Sequence, residues 1–315
     1  MRRPTALTGP ERWYRWLLRA YPREYRAAHG EEMIATLLET DGDGRAVPWP
    51  REALALVAGG ARARALGAGR GPAWADGVHL GVTVLAVLNL GVLVPYARSV
   101  PVWTALAAVT LFAVTRGWVR TALGLVALVG GKVLAVVLGH PWLDQTLLPV
   151  FSDGVWNAPP LYSRGGPVAP VAAYALAFLG LAVLAARHGP LRRRTWRWWL
   201  AVPLTAGVDP ASWLMVESGS PRAAVRVGLE LALLCLAVWA GRVAADPRWA
   251  LAAAIALAPA VVACLEGVTT SRADVLVSFH GFSAGRQELS HLGVLVLLTV
   301  AAAAVPLHAR RHALL

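Results

Sequence analysis

The chain has 315 residues, 30 of them basic and 18 acidic, for a formal charge of +12, with 57% apolar residues and a mean hydropathy of +0.53. That apolar fraction, above the ~45–50% of soluble domains, excludes an ordinary cytosolic enzyme, and the long apolar stretches exclude a disordered chain. The charge reads as orientation in a bilayer, because cytoplasmic loops of membrane proteins collect arginine.

Residues 1–72 form a head that differs in kind from the rest. Met1-Arg2-Arg3 leads into Pro4, Gly9 and Pro10 without an apolar core, so neither a signal peptide nor a twin-arginine signal is expected. Trp13, Trp16, Leu17, Ala20 and Tyr21 recur at helical spacing beside a stripe of Arg12, Arg15, Arg19, Arg23 and Arg26, which predicts an amphipathic helix. Pro22 suits the first turn of a second helix carrying Tyr25, Met33, Ile34, Leu37 and Leu38, and Asp41-Gly42-Asp43-Gly44 ends it. Pro50 opens a third helix that runs to Arg62 and Arg64.

The head predicts a docking face made of Trp13, Trp16, Tyr21, Tyr25, Glu31, Glu32, Met33 and Leu37. Its occupant is a cytosolic or membrane protein partner, or the membrane surface itself. Acidic residues dilute the head's twelve arginines, so no nucleic-acid partner is expected.

The stretch Leu17-Leu18-Arg19-Ala20-Tyr21-Pro22-Arg23-Glu24-Tyr25-Arg26, then Gly30-Glu31-Glu32-Met33, then a helix from Arg51-Glu52 to Ala61-Arg62-Ala63-Arg64, resembles a small helical module. Such a module precedes the first span in orphan ABC-exporter permeases and in an uncharacterised family of multi-span integral membrane proteins of GC-rich bacteria. The resemblance covers residues 10–70, roughly. Those permeases imply large external domains, whereas the longest outer loop here runs only from His140 to Pro167. What the resemblance implies is therefore the module and a multi-span membrane protein, without exporter activity.

From residue 73 onward, apolar runs near the ~20 residues that cross ~30 Å of hydrocarbon fall at about 77–97, 101–115, 121–139, 168–186, 198–216, 223–241, 249–266 and 288–306. The expected fold is therefore all-α, a polytopic bundle of about eight transmembrane helices, residues 73–315, behind the helical head. With the amino terminus inside, 23 basic residues fall in inner segments and five, Arg98, Arg164, Arg222, Arg272 and Arg286, in outer loops. That asymmetry predicts a multi-pass protein of the cell membrane with both termini cytoplasmic.

Asp41, Asp43 and Glu52 match calcium-loop positions, but Ala46 replaces the glycine of the sharp turn. Gly130-Gly131-Lys132 lacks the first glycine and the Ser or Thr of a phosphate loop. Gly281-Phe282-Ser283-Ala284-Gly285 fits G-x-S-x-G, with His280 and His291 as candidate bases for Ser283. A hydrolase domain does not fit in a loop of that size, and the reading leans away from an enzyme. Cys235 and Cys264 show no metal spacing; no metal and no cofactor are expected.

Ionisable residues inside spans are costly and turn toward partners or wet cavities. Lys132, Asp209 and Glu230 each lie seven residues from the outer end of their span, so all three are placed roughly 10 Å below the outer surface. Arg226 is one turn from Glu230, and Glu266 and His291 lie near the outer ends of the seventh and eighth spans. These six are expected to form one intramembrane polar layer, with Lys132 paired to Asp209, Glu230 or both, and Arg226 to Glu230 or Glu266. The layer is either a set of packing pairs or the site of a small-solute permease. The function expected first is that of an accessory, sensor or regulatory protein, with a small-solute permease and a membrane enzyme active on the outer side as the alternatives.

Overall fold

The computed structural model describes residues 9–40, 49–67, 72–97, 100–138, 168–187, 191–206, 234–243 and 246–274, with single positions at 232, 293, 296, 297, 300 and 304. Among the described residues all regular structure is helical. The chain divides into two compact units, Met1–Arg70 and Gly71–Leu315.

In the first unit, α1 (Gly9–Leu17) passes through a 3₁₀ turn (Leu18–Ala20) into α2 (Arg23–Thr40), and α3 (Pro50–Gly67) follows. Pro22 and Pro50 stand where helices begin, since a missing N–H costs nothing in the first turn. Tyr14, Leu17, Leu18, Tyr21, Ile34 and Leu56 close a core, with Met33, Leu37 and Leu38 packed against it. The Tyr14 hydroxyl donates to Glu52 Oε2 at 3.3 Å, and Arg64 Nη2 donates to the Arg19 carbonyl at 2.6 Å. The stripe read from spacing divides: Leu17 and Tyr21 are buried beside Tyr14, while Trp13 and Trp16 stay exposed. Spacing alone does not choose between neighbouring stripes of so short a helix.

The second unit holds α4 (Ala73–Leu93), α5 (Pro101–Arg116), α6 (Val119–Val137), α7 (Val168–Ala186), the short α8 (Ala201–Thr205), α9 (Leu234–Val243) and α10 (Arg248–Asp274). α4 packs against α5, α7, α8 and α10, and α6 joins α5 to α7. The core runs through Leu85, Leu90, Trp103, Leu111, Val114, Val129, Tyr174 and Leu181.

Among the described residues two helices, α4 and α7, are long and apolar enough to cross a membrane. α5 is short at 16 residues. The fifth expected span, 198–216, is not one helix where it is described: a 3₁₀ segment (Trp196–Leu200) leads into α8, and Ala206 turns away in extended backbone. Most of the sixth and eighth expected spans lies outside the described residues.

α4 and α10 meet at a G-x-x-x-G stripe. A Cβ on Gly77 would stand 2.8 Å from the Arg248 carbonyl oxygen, and one on Gly81 2.8 Å from Ile255 Cβ. Only glycine allows these backbones so close, a familiar device between helices in lipid.

Candidate functional site

A buried polar constellation lies at the end of the bundle where α4 and α10 begin and α5 ends. Asp76 stands in the first turn of α4, where a carboxylate complements the unsatisfied N–H groups. Arg194 Nη2 donates to Asp76 Oδ1 at 2.6 Å and to the Asp76 carbonyl at 3.0 Å, and Arg248 Nη1 donates to Asp76 Oδ2 at 3.1 Å. Arg248 is in turn held by Asp246, whose Oδ2 accepts from Nε at 2.8 Å and whose Oδ1 accepts the Arg248 backbone N–H at 3.0 Å. Asp246 and Pro247 thus form a capped, proline-led helix start. The four side chains are nearly buried and balance to zero formal charge.

α5 ends on Gly117 at φ 77°, and the carbonyls of Ala113, Val114 and Thr115 in its last turn are used. Trp118 N–H donates to Ala113 O at 2.8 Å and Arg194 N–H to Thr115 O at 2.7 Å. His79 Nε2, on a ring that is buried, lies 2.8 Å from Val114 O and donates to it. Burial lowers the Arg194 guanidinium from its ordinary value, Asp76 opposes that shift, and Arg192 and Arg248 add to it. The network therefore fastens four segments at one end of the bundle. Its role is structural or conformational, since its polar atoms are spent largely on one another.

Of the six residues expected to form a polar layer, Lys132 is buried in the bundle. Its side chain is packed inside the bundle at 6% exposure, with Nζ 5.8 Å from the Trp103 ring centroid. Asp209, Arg226, Glu230, His280, Ser283 and His291 lie outside the described residues; Glu266 has its backbone in α10 and its side chain outside the description. The outer loop 140–167 lies outside as well. Among the described residues no three His, Cys, Asp or Glu side chains are grouped to hold a metal.

A small cavity between α4, α5, α6 and α7 is lined by Asn89, Thr110 and Tyr174 among apolar side chains, with about 20 Å³ of room for water centres. That is space for roughly one water. The buried Tyr174 hydroxyl has no hydrogen-bond partner among the described residues.

The expected docking face of the head divides. Tyr21 is in the head's core and Met33 and Leu37 pack on it, while Trp13, Trp16, Tyr25, Glu31 and Glu32 stay exposed. Tyr21 stacks on Tyr25 at 5.2 Å between ring centroids. Burial raises the Tyr21 phenol from its ordinary value, and Tyr25 adds to the shift.

Sequence reasoning missed Asp76, Arg194, Asp246 and Arg248. The available signal was two acids, Asp76 and Asp246, standing at the arginine-rich ends of apolar runs. Compared with protein-family models, curated proteins and solved structures, the chain matches none.

Proposed function

We propose that this chain is a multi-span integral membrane protein of the accessory or regulatory class, with about eight spans, both termini cytoplasmic, and a helical head as its working part. Membrane residence is supported by α7, a strongly apolar helix of 19 residues of which only 39% is buried in the protein. Phe178, Leu179 and Val183 on α7, with Phe112 and Leu128 on α5 and α6, are exposed, as suits side chains solvated by lipid.

One observation carries the regulatory reading. The head completes a core of its own and still leaves Trp13 at 46% and Trp16 at 56% exposure, and large aromatics left outside a finished core favour an interaction surface. Glu31 and Glu32 on α2 offer a separate acidic edge for a protein partner. Deleting residues 1–72 is expected to leave the bundle inserted and to abolish crosslinked capture of partner proteins. Recovery of the same proteins with and without the head rejects this reading.

A second reading, a small-solute permease, is favoured by Lys132. A lysine packed among apolar side chains is retained where it has a partner or a ligand. Substrate-dependent uptake into proteoliposomes, lost in Lys132→Met, would select it.

A further inference from the structure

We propose that the outer face of α1 docks on the anionic headgroups of the membrane in which the bundle resides. This rests on the reading of the chain as a membrane protein worked through its head, and it assigns to lipid a face distinct from the acidic edge on α2.

The inner stripe of α1 is occupied by Tyr14 and Leu17. On the opposite side Arg12 and Trp16 follow one another at i, i+4, with Trp13 beside them, all exposed. The two indoles meet edge to face at 5.9 Å, forming one apolar tip on a nine-residue helix. An indole buries its ring at headgroup depth while its N–H stays wet, the placement aromatic belts use.

The surrounding charge has the sign that anionic lipid requires. Arg12, Arg19 and Arg23 are exposed and make no ion pair among the described residues. Arg15 bridges Glu11 at 3.0 Å and Glu31 at 3.3 Å, and residues 9–26 hold five arginines against two glutamates. Exposed arginines in the stretch that carries an apolar tip are the composition of an interfacial surface.

Tethering favours lipid over a soluble partner. Five residues, 68–72, connect α3 to α4, and a link that short spans at most about 20 Å. With α4 in the bilayer, headgroups are the one partner always present at high effective concentration.

The test uses the full-length protein in nanodiscs, where both faces of the bilayer are open. In a background of Cys235→Ser and Cys264→Ser, Gly9→Cys on the outer face of α1 carries an environment-sensitive fluorophore, and nitroxide lipids serve as quencher. We expect blue-shifted, quenched emission in phosphatidylglycerol-rich discs and weaker quenching in phosphatidylcholine discs. Arg12→Gln, Arg19→Gln and Arg23→Gln together should lower the docked-to-undocked ratio in anionic discs about a hundredfold, at about fivefold per arginine. Trp13→Ser with Trp16→Ser should reduce quenching in both discs; because both side chains are exposed, the head's core and its resistance to protease should survive. Equal quenching in the two compositions, or none in either with the head intact, overturns the proposal. Absent quenching with partner capture still dependent on residues 1–72 overturns lipid docking alone. Unchanged capture after deletion overturns the regulatory function instead.

Discussion

Arg194 donates to Asp76 across 118 positions of sequence, at 2.6 Å from Nη2 to Oδ1, while Arg248 takes the other carboxylate oxygen. One carboxylate thereby joins the start of α4, the segment before α8, and the start of α10. Desolvation makes such a constellation a poor source of net stability when intact, yet costly to break, because the survivor is left as an uncompensated buried charge.

The first prediction follows from that asymmetry. Asp76→Ala removes the one carboxylate that Arg194 engages and leaves Arg248 on Asp246 alone, and should destabilise the bundle by about 3 kcal/mol, whereas Arg194→Met leaves Asp76 held by Arg248 and should cost about 1–2 kcal/mol. Thermal unfolding in detergent of the two single variants and the double variant checks this. Strictly additive losses would show that the pair is not coupled.

The G-x-x-x-G contact makes a second prediction. Gly77→Ala places a Cβ against the Arg248 backbone, which has no rotamer to yield, so α4 and α10 must separate at a cost of about 1–3 kcal/mol. Gly131→Ala, where no atom lies within 4 Å of the added Cβ, should be neutral or gain up to about 1 kcal/mol from helix propensity. A smaller loss at Gly77 than at Gly131 would count against this packing.

Lys132 supplies the third. If it pairs with Asp209 to fix packing, Lys132→Met and Asp209→Leu should each lose about 3–5 kcal/mol, and the double variant should recover most of it. If the pair serves a ligand, the double variant should be stable and inactive in uptake. A double variant as unstable as the worse single one would show that the two residues are not partners.

Topology gives the fourth. In a background lacking Cys235, which is exposed, and Cys264, Ser152→Cys should react with a membrane-impermeant thiol reagent from outside the cell. Thr195→Cys, exposed beside Arg194, should stay unlabelled until the membrane is opened. The reverse pattern would invert the orientation.

What the sequence determined by itself is the set of features governed by local chemistry. Run length and apolarity placed α7 at 168–186 and α4 within four residues of its observed start, and Pro22 and Pro50 marked the starts of α2 and α3, because a helix start answers to the residues within one turn of it. Tertiary structure decided which stripe of α1 turns inward, and it broke the expected helix at 198 into a 3₁₀ segment and a five-residue helix. It also found for Asp76 partners 118 and 172 positions away. Helical periodicity reports the faces of one element, whereas which face meets which neighbour depends on surfaces supplied by distant parts of the chain.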